Sequence, residues 1–110
     1  MSTNRIKQAC SETLILSLLA AKPMHGYDMC KELEKRSNGY FQLRHGTLYP
    51  LLHKMEKAGL VKSKWGELDS GKPRRYYSLT KKGASYQRDN LASWRELLAS
   101  LIQLVPEVAP

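Results

Sequence analysis

The run Arg44-His45-Gly46-Thr47-Leu48-Tyr49-Pro50 is followed by His53, Lys54 and Lys57. At helical spacing, Thr47, Tyr49, His53, Lys54 and Lys57 share the side opposite an apolar stripe of Leu48, Leu51, Leu52 and Met55. Hydroxyl, phenol and imidazole groups near a helix start can reach base edges and phosphates, and the terminal amides attract phosphate themselves. Arg44 and His45 precede the helix and are expected to face the same region. A second cluster, Lys62, Lys64, Lys72, Arg74 and Arg75, is opposed locally by Glu67 and Asp69 alone. Cations placed at phosphates release counterions, so this chemistry holds a polyanion. Tyr27 fits either a core position or a phosphate contact.

Other chemistries find no support. His45 and His53 have no Cys or carboxylate at ligand spacing, so no metal is expected. Cys10 and Cys30 lack the close pairing of a zinc or redox motif and read as reduced thiols of a cytosolic protein. No nucleophile–base pair, paired carboxylates or phosphate-cradling loop stands out, so no catalytic residue, enzyme activity or cofactor is expected.

Several elements must position these groups. A first helix is expected from about Ser11, as its cap, to Ala21, ended by Lys22-Pro23. Its run Leu14-Ile15-Leu16-Ser17-Leu18-Leu19 is apolar on nearly every side and belongs mid-fold. A second helix spans about Gly26 to Arg36, with a stripe of Tyr27, Cys30 and Leu33 and a stop at Ser37-Asn38-Gly39. The third spans about Gly46 to Ala58, closed by Gly59, with Pro50 within its first turn or two. Leu60–Gly66 and Arg74–Leu79 read as a β-hairpin around the turn-rich tip 67–73. Trp65 is expected to pack at the hairpin base against the helices. From Thr80, a suitable N-cap, a last helix runs to about Val105. Leu91, Trp94, Leu98, Leu101 and Val105 recur along it at steps of three and four.

The 110 residues suit one compact unit, and 42% apolar content excludes a disordered tail. Lys and Arg number 18 against 10 Asp and Glu, giving a formal charge of +8. That excess favours nucleic acid or an anionic membrane surface. The apolar stretch Leu14 to Ala21 is too short to span a bilayer and no secretory signal is visible, so the expected location is cytoplasmic, without a membrane partner.

The resulting fold is mainly α with a two-stranded β wing: a winged helix-turn-helix followed by a long C-terminal dimerisation helix. Residues 1–79 form the DNA-binding domain and 80–110 the dimerisation helix, as one compact unit. The apolar seam of the last helix is too long for so small a body to cover, so it calls for the first helix, a second copy, or both. A homodimer would set two third helices about 34 Å apart, matching a palindromic operator in double-stranded DNA. A winged-helix module that binds protein without DNA is the alternative.

His25-Gly26-Tyr27, Gly46-Thr47-Leu48-Tyr49-Pro50-Leu51-Leu52, Met55-Glu56-Lys57-Ala58-Gly59-Leu60-Val61 and Gly71-Lys72-Pro73-Arg74-Arg75-Tyr76-Tyr77-Ser78-Leu79-Thr80 together resemble the PadR family of transcriptional regulators. The resemblance runs from about Thr13 to Val105. It implies a winged-helix dimer joined through its last helix, here Leu91, Trp94, Leu98, Leu101 and Val105, and usually a repressor of detoxification, stress or efflux genes. It also implies DNA contacts from Tyr27, Thr47, Tyr49 and the basic wing. Arg44 stands where the family tends to place a serine cap, a departure that offers a further phosphate contact. The single final helix resembles the compact subgroup, some of whose members bind flat aromatic drugs between two symmetry-related tryptophans. Trp94 resembles that tryptophan, which would place a planar aromatic effector at Trp94, Leu98 and Ile15. Simple packing of Trp94 in the dimer core is the other reading.

Overall fold

The computed structural model describes residues 2–67 and 71–110. Its element order is α1 (Ser2–Ala21), β1 (Met24–His25), α2 (Gly26–Arg36), α3 (His45–Lys57), β2 (Val61–Glu67), β3 (Pro73–Leu79) and α4 (Lys81–Leu104), closed by a 3-10 turn at Pro106–Val108. This is the winged helix-turn-helix with a long terminal helix that the pattern implies. The hairpin is the larger part of a three-stranded antiparallel sheet ordered β1-β3-β2. β1 pairs Met24 with Tyr77 and His25 with Tyr76. Two residues between Pro23 and Gly26 are too few to show an alternating pattern, so this strand left no signal in the sequence.

α1 starts well before Ser11. No Gly or Pro interrupts residues 2–21, and Ser11 lies inside the helix, where its hydroxyl donates to the Lys7 carbonyl at 3.2 Å. Ile15, Leu16, Leu18 and Leu19 are buried from this helix, so its central position is as expected. On α2 the buried stripe is Gly26, Met29 and Leu33, with Cys30 half-buried at its edge, and Tyr27 turns outward. Burial pushes the Cys30 thiol up from its ordinary range.

Local stops fall where the small residues stand. Asn38 and Gly39 both take positive φ after the α2 cap Ser37. The Ser37 hydroxyl donates to the Leu33 carbonyl at 2.7 Å and accepts the Phe41 amide at 2.8 Å, which turns the chain toward α3. Gly59, at φ +80°, ends α3 as the Gly59 amide donates to Glu56 and the Leu60 amide to Met55. The Thr80 hydroxyl oxygen accepts the Gly83 amide at 2.9 Å and donates to the Gly59 carbonyl at 2.6 Å. One side chain thus caps α4 and fastens its start to the end of α3.

The core joins α1, α2, α3 and the inner sheet face: Ile15, Leu16, Met29, Leu48, Leu52, Met55 and Val61 are essentially closed to solvent. Each such side chain stabilises by about 1.5–3 kcal/mol relative to exposure. α4 shares this core only at its beginning, where Gly83 and Gln87 are buried. Gln87 Nε2 donates to the Thr13 carbonyl at 3.1 Å and to Ser17 Oγ at 2.7 Å, while Gln87 Oε1 has no partner among the described residues. Further along, Thr13 Oγ1 accepts from both Asn90 Nδ2 at 2.6 Å and Trp94 Nε1 at 2.8 Å. Beyond Trp94 the helix leaves the body, and the molecule reaches 51 Å in its longest dimension.

Candidate nucleic-acid interface

The α2–α3 corner is built from the N-termini of both helices. Arg44 is the N-cap of α3, in extended backbone, and makes no side-chain cap hydrogen bond. With no acidic residue in the first turn of α3, its unpaired amides keep their attraction for an anion. Pro50 sits in the second turn, where it interrupts the amide ladder near the helix start. The apolar side of α3, Leu48, Leu52 and Met55, is sealed into the core. The opposite side is therefore turned out, and Arg44, His45, Thr47, Tyr49, His53, Lys54 and Lys57 are all exposed.

Tyr27 joins this surface. It is 53% exposed, which removes the core reading. The His45 imidazole lies between two phenol rings, with its centroid 6.2 Å from Tyr27 and 5.6 Å from Tyr49 and interplanar angles of 11° and 19°. His25 continues the row, 6.4 Å from Tyr27. His25 itself is buried and caps α2, its Nδ1 accepting the Asp28 amide at 3.4 Å. The Lys31 ammonium stands 5.3 Å from the Tyr27 ring centre. This row joins residues from three elements, so no single helical period could reveal it. The sequence offered only its separate members.

The wing stands beside α3. Lys72 and Arg75 are exposed and Arg74 is half-buried. The expected tip lies partly outside the described residues, at 68–70. Among the described residues the carboxylate contacts of basic side chains are His25 Nε2 to Asp28 at 3.1 Å and the ion pair Arg36–Glu32, so neither Arg44, Lys54, Lys72, Arg74 nor Arg75 is neutralised by a carboxylate there. Between helix and wing runs an open groove of about 410 Å³ lined by His53, Glu56, Lys57, Arg75 and Tyr77. Burial pushes the Tyr77 phenol up, with nearby Arg75 acting the other way. No group of His, Cys, Asp and Glu among the described residues could hold a metal.

Trp65 departs from expectation. It is 68% exposed, because β2 carries it past the edge of the core, and it packs beside Arg75, whose guanidinium carbon lies 5.8 Å from the indole. Sequence reasoning also missed the hydrogen-bonded chain behind it. Arg75 Nε donates to Ser63 Oγ at 2.9 Å, and Ser63 Oγ donates to Glu56 Oε2 at 2.8 Å.

At the other end, the seam residues Leu91, Leu98, Leu101 and Val105 are exposed, as are their neighbours Leu97 and Ile102. Trp94 is half-buried and borders a groove of about 290 Å³ with Ala9, Glu12, Thr13, Asn90, Ser93 and Leu97. Leu98 does not line that groove within one chain. Ile15 is fully enclosed in the core and presents no surface to a ligand, a correction to its expected place beside Trp94.

The model of the PadR-like family of transcriptional regulators matches residues 15–89. A transcriptional regulator of Mycobacterium tuberculosis is 33% identical over 88 residues, covering 80% of this chain and 78% of that one. Among solved structures, a PadR-like transcriptional regulator from Bacillus cereus superposes with a TM-score of 0.82 at 26% identity, covering 92% of this chain and 96% of that one. A PadR family regulator from Eggerthella lenta gives a TM-score of 0.80 at 32% identity over 92% of this chain and 86% of its own. The outward groups of α3, the basic wing beside them and these likenesses agree, and the chain belongs to the PadR family of DNA-binding transcriptional regulators, which are not enzymes.

Proposed function

We propose that the chain is a dimeric repressor that binds a palindromic operator and releases it when a planar aromatic molecule enters near Trp94. Two copies pair through Leu91, Trp94, Leu98, Leu101 and Val105. Each α3 enters a major groove, about 34 Å from its twin. Thr47, Tyr49, His53 and Lys54 meet base edges and phosphates, with Tyr27, Arg44 and His45 at the helix start. Lys72, Arg74 and Arg75 hold the flanking backbone. The protein works in the cytoplasm.

The observation that carries this reading is the exposed face of α3 beside a basic wing whose Lys72, Arg74 and Arg75 are paired with no carboxylate among the described residues. The bare apolar seam of α4 supports pairing, since apolar surface of this extent marks an interaction site. The hydrogen bond from Trp94 to Thr13 holds the indole at the α1–α4 groove, where a flat ring could stack on it. A ligand there acts only through its unequal affinity for the two dimer geometries.

The test is a titration of a mixed-sequence 30-base-pair duplex against salt. Log affinity should fall linearly with log salt, and K72A/R74A/R75A should reduce that slope by about one for each phosphate no longer neutralised. An unchanged slope removes the wing from the interface. No binding at any salt would favour a winged-helix module that docks on protein. Quenching of tryptophan emission by planar cationic dyes, absent in W94F, tests the effector site.

A further inference from the structure

We propose that Trp65 and Arg75 form a DNA-contacting platform on the α3 side of the wing, and that Glu56, acting through Ser63, is the positioning residue that sets it. The proposal deepens the DNA-binding reading and rests on it.

The register of the hairpin supplies the first argument. Val61 pairs with Leu79, Ser63 with Tyr77 and Trp65 with Arg75, so alternate residues of both strands share one face. At the inner end that face is core: Val61 is 2% exposed and Tyr77 6%. Trp65 and Arg75 continue the same face outward, past the point where α3 ceases to cover it. Arg75 thus lines the groove that His53 and Lys57 line from the helix, and Trp65 stands beside Arg75 on the same face. A large apolar ring left bare beside an arginine of a cationic groove is the kind of exposure that marks a contact surface.

The second argument is the hydrogen-bonded chain. Arg75 spends its Nε–H on Ser63 Oγ, and Ser63 spends its hydroxyl proton on Glu56. The two terminal guanidinium nitrogens have no hydrogen-bond partner among the described residues and remain free for phosphate. The indole limits the guanidinium on one side, at 5.8 Å. Without the chain, a long exposed arginine would keep its rotamer freedom and lose it only on binding. Glu56 adds a negative charge to a groove that must admit phosphate. A carboxylate at this place is explained by its hydrogen bond to Ser63, which links α3 to both strands of the wing.

The predicted occupant is the sugar-phosphate edge of duplex DNA, with phosphate on the Arg75 fork and deoxyribose against the indole. The 110-residue chain carrying 5-fluorotryptophan gives two fluorine resonances, assigned with W65F. Adding the mixed-sequence duplex should shift the Trp65 resonance. W65A should bind about tenfold more weakly, the scale of one cation–π and packing interaction. S63A and E56A should each weaken binding about five- to tenfold, as expected when a charge-assisted hydrogen bond is removed. E56Q keeps an acceptor for Ser63 and should bind within about threefold of wild type. Rescue by Gln separates positioning from charge: if E56A and E56Q both bind as tightly as wild type or tighter, Glu56 merely repels phosphate and the positioning role is wrong. Wild-type binding with a static Trp65 resonance and unaffected W65A overturns the platform while leaving DNA binding intact. Failure of wild type to bind the duplex at all overturns the underlying reading.

Discussion

The Tyr49 phenol lies so close over Gly26 that a Cβ built on that glycine would stand 2.8 Å from its hydroxyl oxygen. The start of α2 is thus shaped to admit a side chain of the exposed α3 face. Gly26→Ala should move the Tyr49 ring and, with it, one wall of the Tyr27–His45–Tyr49 row. The phenol end can swing, so the stability loss should stay near 1 kcal/mol, the scale of about one displaced rotamer. Duplex affinity should fall several-fold. Unchanged affinity by fluorescence anisotropy would show that the ring's position does not matter to binding.

Gly83 is a harsher case. A Cβ there would run into the carbonyl oxygen of Leu60, which is backbone and cannot swing aside. Thr80 fixes the same junction through the Gly59 carbonyl and the Gly83 amide. Gly83→Ala should cost about 3 kcal/mol or more. Urea unfolding gives the value directly, and a loss under about 1 kcal/mol would mean that α4 slides freely on the α3–β2 turn.

Leu98 and Leu101 are 51% and 42% exposed in the single chain. Replacing both with Asp should leave the fold intact, because neither fills the core. In a dimer it would bury two carboxylates per chain, at a cost beyond what the seam can offset. Sedimentation should then find monomers. Dimers of L98D/L101D would move the pairing surface elsewhere.

The Tyr86 hydroxyl donates to Glu12 Oε1 at 2.6 Å, which together with burial pushes its pKa above the ordinary tyrosine value. The folded chain therefore holds this proton more tightly than the unfolded chain does. The stability it contributes is full below the unfolded value near 10 and is lost as pH rises through the raised folded value. Tyr86→Phe lacks the proton. Its stability should fall less than that of wild type between about pH 9 and 11. Tyr77, raised by burial, remains in both proteins and cancels in the difference. Parallel curves from chemical denaturation would argue that the bond does not persist in solution.

Much of the architecture was legible because its signals are local. The break at Lys22-Pro23, the positive-φ stop at Asn38-Gly39, the Gly59 turn and the Thr80 cap each act over a few residues, and each falls where composition pointed. Ser11 misled for the same reason: its hydroxyl suits a cap, yet in an unbroken helix it bonds back to Lys7 instead. What stayed hidden was relational. β1 exists only because β3 offers Met24 and His25 an edge. Trp65 looks like a packing residue until the register shows that its neighbours on that face run out of core. Tyr27 could be placed only once Met29 had taken the inward position on α2. Glu56, Ser63 and Arg75 come from three elements, and their chain has no period to read.

Asn90 and Trp94 both donate to one oxygen, Thr13 Oγ1. Two rungs of α4 are thereby keyed to a single point on α1, ahead of the stretch that runs free. A twist applied to that free end meets α1 first, before it reaches the Thr80 joint to the end of α3.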